Sequence, residues 1–324
     1  MQQNSALKQC IQKMKKIILL ASLFMANKNF LLTQNNVAEN YARTGTGIRF
    51  QNVKTQTINV GGTDFYYRKL GEDNPGVPVI FLNHLAATLD NCDPRIIDGI
   101  ASQCQIITFD NRGVGATKGK TPKTVAEMAK DARAFIHALG YEKVDLIGFS
   151  LGGFISQEIL LQEPQLVRKA ILTGTGPAGG AGIQNVTRIT YLDIMRGLFS
   201  FKDAKTYVFF NRNKNGKKSA KEFLSRLKER KEDRDKKMGI GNLQRQLKAI
   251  HAWALQSSHD LSVIKQPVLV ANGDNDRMVP SSNTPDLAKR IPNSEIIIYK
   301  DAGHGGIFQY HDDFVKSALA FLTR

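Results

Sequence analysis

The chain has 324 residues, enough for one large domain or two small ones. With 42% hydrophobic and 23% charged residues it can bury a sizeable core, which excludes a disordered or fibrous protein. A formal net charge of +16 attracts anionic partners, but no zinc-finger, RRM or basic-zipper pattern accompanies it, so no nucleic-acid partner is expected.

The N-terminal region reads as an extension over residues 1–50. Within it, Lys13, Lys15 and Lys16 precede an apolar run at 17–26. That order suits a secretory signal peptide over about residues 14–38. The stretch Asn36-Val37-Ala38 is only loosely like an A-x-A cleavage site. A periplasmic or secreted protein is expected if the segment is a signal, and a cytoplasmic one otherwise. The run is too short to span a bilayer as a helix. The three cysteines, Cys10, Cys92 and Cys104, are odd in number and lack framework spacing, which argues against a disulfide scaffold. With no Cys-x-x-Cys and scattered histidines, no metal site is expected.

From about residue 55 short apolar segments alternate with helical patterns. The apolar segments fall at 65–70, 77–82, 105–110, 143–148, 169–173, 267–272 and 295–299. Near-continuous apolar strands of this kind mark a mostly parallel sheet covered by helices on both faces. Between them, Val125, Met128, Ala129, Ala132, Phe135, Ile136 and Leu139 recur on one helical stripe. Thr124 and Glu127 have capping-box spacing at its start, and Gly140 stops it. A last helix is expected over about 311–322.

Residues 177–260 break the alternation. They are helical in pattern and contain no convincing buried strand. The stretch 201–250 carries 16 Lys/Arg against 6 Asp/Glu, a net of +10. The segment reads as a helical lid inserted into a core made of 51–176 and 261–324, on the side of the sheet where ligands bind. A solvated, Lys-rich surface accounts for its charge, and contact with an anionic membrane surface is an added role that charge allows. Its aromatic residues Phe199, Phe201, Tyr207, Phe209, Phe210 and Trp253 line an acyl pocket or form the core of the lid itself.

The chemistry sits at the ends of strands. Residues 148–152 read G-F-S-L-G, a G-x-S-x-G motif between an expected strand and an expected helix. The chain reverses there within a residue or two, which pushes the Ser150 hydroxyl outward, and bulky flanking residues would clash. The helix that follows aims its N-terminal amides at the site, favouring negative charge. A serine nucleophile needs a base, and the base needs an orienting acid. His304 follows the strand at 295–299 within A-G-H-G-G. After the strand at 267–272 comes G-D-N-D, residues 273–276. Asp276 lies further along that turn toward the histidine and is the expected acid. Asp274 is expected to cap or brace the turn.

These features resemble the α/β-hydrolase superfamily from about residue 55 to the end. The resemblance rests on N-H-L-A-A at 83–87, F-D-N-R-G-V-G at 109–115, G-F-S-L-G-G at 148–153, G-D-N-D-R-M-V-P at 273–280 and A-G-H at 302–304. Within the superfamily the chain looks most like the esterase, enol-lactonase and cofactor-free haloperoxidase (perhydrolase) branch. The usual His-Gly-x loop reads His84-Leu85-Ala86 here, so its glycine is missing, as it is in 3-oxoadipate enol-lactonases.

The resemblance implies an α/β-hydrolase fold with a mostly parallel eight-stranded sheet and a helical lid. It implies a catalytic triad of Ser150, Asp276 and His304, and an oxyanion hole from the backbone N–H groups of Leu85 and Leu151. Ala86 in place of Leu85 is the other register the loop allows. His84 is expected to brace its loop, and Asp110, Asn111 and Arg112 to form a structural turn. Cys92 falls where relatives often have tryptophan, which leaves a roomier pocket. The implied substrate is a small-molecule ester or lactone, and no cofactor is needed. Perhydrolase and C–C hydrolase chemistry would use the same triad. Non-catalytic ligand-binding members of the fold usually have a broken triad, whereas all three members are present here.

Overall fold

The structure, a computed structural model, describes Gly47 and residues 49–324. The expected signal segment at 14–38 lies outside the described residues. Among the described residues no helix is long and apolar enough to cross a membrane.

In chain order the elements are β1 (Gln56–Val60), β2 (Thr63–Leu70), β3 (Val79–Leu82), α1 (Pro94–Ala101), β4 (Ile106–Phe109), α2 (Val125–Ala138), β5 (Val144–Phe149), α3 (Leu151–Gln162) and β6 (Val167–Thr173). Four helices follow before the next strand: α4 (Val186–Ser200), α5 (Lys205–Phe209), α6 (Lys214–Arg226) and α7 (Ile240–Leu255). The chain closes with β7 (Val268–Gly273), α8 (Asn283–Arg290), β8 (Ser294–Tyr299), α9 (Gly306–Gln309) and α10 (His311–Leu322).

The eight strands form one sheet in the order β1-β2-β4-β3-β5-β6-β7-β8. The pairs β1–β2 and β2–β4 are antiparallel, and every other pair is parallel. Successive residues of a strand point to opposite faces, so an all-apolar strand serves two cores. In β3, Val79 and Phe81 join one buried cluster with α1 and α10, while Ile80 and Leu82 join another with α2 and α3. The strand β1, which carries the alternating sequence Q-T-I-N-V, falls outside the segments expected from the sequence. It is a half-exposed edge strand with only Val60 buried, so its apolar signal is weak.

The helices follow from the same physics. α2 starts at Thr124, whose hydroxyl accepts the Glu127 N–H at 3.2 Å and donates to the Glu127 carboxylate at 3.0 Å. α3 is buried from Leu151 to Leu160, which fits a helix that is apolar all round. It sits on the sheet with its N-terminus at the end of β5.

The basic segment is not purely a solvated surface. Arg226 and Arg230 are buried. Arg226 pairs with Asp93 at the start of α1, at 2.6 Å. Arg230 donates to the Phe50 and Val53 carbonyls at 3.0 and 2.8 Å. Part of the charge therefore fastens α6 and the chain after it to the sheet domain.

Candidate active site

Ser150 forms the corner between β5 and α3, with φ 56° and ψ −115°. A non-glycine residue seldom adopts positive φ, and such strain persists only where its surroundings over-determine it. Here those surroundings are tight. A Cβ at Gly152 would run into the Leu82 carbonyl, and one at Gly148 into Ser156 Oγ and the Gly152 carbonyl. The two glycines of the motif are therefore steric requirements for bringing α3 against β3. The Ser150 N–H donates to the Thr173 carbonyl at 2.9 Å, and Thr175 Oγ1 donates to the Ser150 carbonyl at 3.0 Å.

His304 lies between β8 and α9. Its Nε2 is 2.9 Å from Ser150 Oγ, and its Nδ1 is 2.7 Å from Asp276 Oδ2. A carboxylate oxygen only accepts, so Nδ1 carries the hydrogen and Nε2 is left to accept from the serine hydroxyl. All three side chains are buried. Asp276 Oδ1 accepts the N–H groups of Met278 and Val279 at 2.8 and 3.1 Å, which fixes the carboxylate from behind. Asp274 does not reach the histidine. Its Oδ1 accepts from Ala302 N–H at 3.2 Å and from the Asn275 side chain at 2.9 Å, tying the two loops together.

Leu151 is the first residue of α3, so its N–H has no preceding turn to bond. Among the described residues nothing accepts the Leu85 N–H. The Ala86 N–H, by contrast, donates to Gln246 Oε1 on α7 at 2.7 Å. The Ala86 N–H is therefore already paired. Gln246 carries no motif, and its role is visible only once α7 is laid over the 83–87 loop.

His84 Nδ1 donates to the Leu85 carbonyl at 2.8 Å, and its ring packs edge-on against Phe149 and Phe209. Burial pushes its pKa down to about 3, so it stays neutral. Asp110 accepts the Leu89 and Ala116 N–H groups, and Arg112 makes a two-bond pair with Asp131, so this turn is a brace beneath the site. Cys92 is in the core, bonded to the Asn83 side chain, and not on the cavity wall. Lying in that packing, it does not itself shape the cavity wall.

A cavity of about 170 Å³ opens over Ser150 and His304. One wall is Leu85, Phe154 and Met278, and the other is Val186, Ile194 and Leu243 from the helices between β6 and β7. The aromatic residues of that segment divide three ways. Phe209 lines the cavity, Phe210 and Trp253 are buried and Tyr207 half-buried in packing, and Phe199 and Phe201 face solvent.

A sheet of this order, with a serine at the corner after β5 and an acid and a histidine after β7 and β8, defines an α/β hydrolase. A family model described as the alpha/beta hydrolase fold matches residues 77–309, and the chain belongs to that family. A solved α/β-hydrolase fold protein from Chitinophaga pinensis is 35% identical, with a TM-score of 0.80 over 85% of this chain and 99% of that one. The enol-lactonase of Burkholderia xenovorans LB400 shares the fold at 18% identity, with a TM-score of 0.67 over 83% of this chain and all of that one (100%). BpoC of Mycobacterium tuberculosis, provisionally named a non-heme bromoperoxidase, is 25% identical over 272 residues, which cover 78% of this chain and 96% of BpoC.

Proposed function

We propose that the chain is a serine hydrolase of small carboxylic esters or lactones, with Ser150 as nucleophile, His304 as base and Asp276 as the orienting acid. The observation that carries this reading is the hydrogen-bonded row of 2.7 and 2.9 Å from Asp276 through His304 to Ser150, at the floor of an apolar cavity. His304 Nε2 takes the hydroxyl proton as Ser150 Oγ attacks the carbonyl carbon. The tetrahedral oxyanion is held by the N–H groups of Leu85 and Leu151, each worth about 3 kcal/mol in such a site. The protonated imidazole then gives its proton to the leaving alcohol, and an acyl-enzyme remains. Water, activated by the same nitrogen, releases the acid. Asp276 keeps the proton on Nδ1 and stabilises the imidazolium without itself being protonated.

Residues 177–260 act as the lid in this reading. They supply one wall of the cavity, and Gln246 holds the Ala86 N–H so that Leu85 is the donor left for the oxyanion. A panel of p-nitrophenyl esters, lactones and peracid formation from a carboxylic acid and peroxide tests the reaction class. Ester or lactone turnover above peracid formation is the expected result, and the reverse ranking would make the protein a perhydrolase.

A further inference from the structure

Helix α4 is amphipathic the wrong way round for a helix of a soluble surface. Its sheltered side carries Val186, Thr190, Asp193 and Gly197, all buried. Its outer side carries Leu192, Ile194, Met195, Leu198 and Phe199, and Leu198 and Phe199 are 66% and 76% exposed. The helix then ends on Phe201, which is 97% exposed and held at φ 53°, ψ 38°. A bulky residue in that left-handed region costs about 1–2 kcal/mol, and among the described residues no packing offsets the cost. Contiguous exposed apolar surface of this kind marks an interaction site.

Two further observations say what covers it. First, the stripe is rimmed by positive charge. Between residues 186 and 214 there are 6 Lys/Arg and 2 Asp/Glu. Arg188, Lys202, Arg212 and Lys214 are exposed. Of the two acids, Asp193 is buried and paired with Arg196, Arg277 and, at 4.0 Å, Arg212, and Asp203 is paired with Lys205. A second copy of this chain meeting the patch face to face would set this basic rim against itself. Second, the stripe continues inward. Ile194 is 37% exposed and also lines the cavity above Ser150, so an apolar track runs from the outer face of α4 to the serine.

We infer that the outer face of α4, with Phe201, docks on an anionic lipid bilayer. The helix lies in the plane of the interface, its apolar stripe among the acyl chains and its basic rim at the headgroups. The docking does not depend on the proposed chemistry, so a Ser150→Ala chain docks as the wild type does. The chemistry gains from it, because an amphiphilic ester reaches the cavity along Ile194 without crossing water.

The test uses the full chain carrying Phe201→Trp. The chain's single native tryptophan, Trp253, is buried, so the new indole reports its own surroundings. With phosphatidylcholine vesicles containing phosphatidylglycerol, the indole emission shifts to the blue, and brominated acyl chains quench it roughly twofold. A chain that sediments with these vesicles while the emission stays unchanged is attached by another surface, and the inference fails. It fails equally if no vesicle is bound, or if the emission shifts without vesicles as light scattering reports a dimer. A Leu198→Ser, Phe199→Ser chain keeps every charge and its thermal midpoint but partitions at least about a hundredfold more weakly, as loss of two inserted apolar side chains requires. Unchanged partitioning would reduce the contact to bulk charge and overturn the proposal.

Discussion

The sheet domain and the four helices inserted between β6 and β7 solve the same problem in different ways. In the sheet domain, apolar residues are buried and each element shows its period. Phe65, Ile80, Leu146 and Ile171 are fully inside. In the inserted helices, a buried ion pair anchors the segment, and large apolar side chains face outward. The contrast teaches that the domain builds the serine, acid and histidine from rigid strand ends. The insertion adds one wall of the cavity and an exposed apolar face, and among the described residues it contains no strand.

The largest effect is expected in the strand-end loops. Asp276→Asn leaves the fold intact but lowers kcat by about 10³- to 10⁴-fold, because the imidazole loses the partner that sets its tautomer. Asp274→Asn, two residues away, changes kcat by less than about tenfold, since its carboxylate ties loops and does not touch the histidine. Steady-state kinetics on both chains checks this, and the reverse order would hand the acid's role to Asp274.

In the insertion the largest effect is on stability. Arg226→Ala leaves the Asp93 carboxylate buried without its partner and costs about 3–5 kcal/mol in denaturant unfolding. A cost below about 1 kcal/mol would mean the pair behaves as a surface contact, and the insertion would then be held by its apolar packing alone.

The smallest effect lies where the two regions meet. Burial first, and then the neighbouring Asp235 carboxylate, hold the Asp110 carboxyl well above the usual carboxylate range. Its folded-state value exceeds the unfolded one, so the folded chain holds the extra proton. Stability from this group is present at acidic pH and lost as pH rises through the folded value. Asp235→Asn removes the neighbouring charge, so its thermal midpoint should exceed the wild type's at about pH 8 and approach it at about pH 5. A wild-type midpoint that rises steadily over that range, with no gain in the variant, would contradict this.

How much of this was legible in the sequence follows the same division. The motif G-F-S-L-G lies between an apolar strand and an apolar helix. Asp276 follows the fully buried strand β7, and His304 follows β8, which is largely uncovered but still carries a run of three isoleucines. The short strand β1 was not legible, because half its residues face solvent and its pattern is polar. Nor was the contact of Gln246 with Ala86, which joins residues 160 apart in the sequence. The run I-T-Y-L-D-I-M-R-G-L-F-S-F shows a helix rich in apolar residues. Which of its sides faces out depends on Asp193 being buried against Arg277, a contact no local pattern announces.

The central claim is that one serine acts as the nucleophile, activated by one histidine. A fluorophosphonate probe followed by peptide mass spectrometry tests it most directly. A single adduct on Ser150 is expected, absent in Ser150→Ala and strongly slowed in His304→Ala. Labelling that survives in Ser150→Ala, or an adduct on another residue, would contradict it.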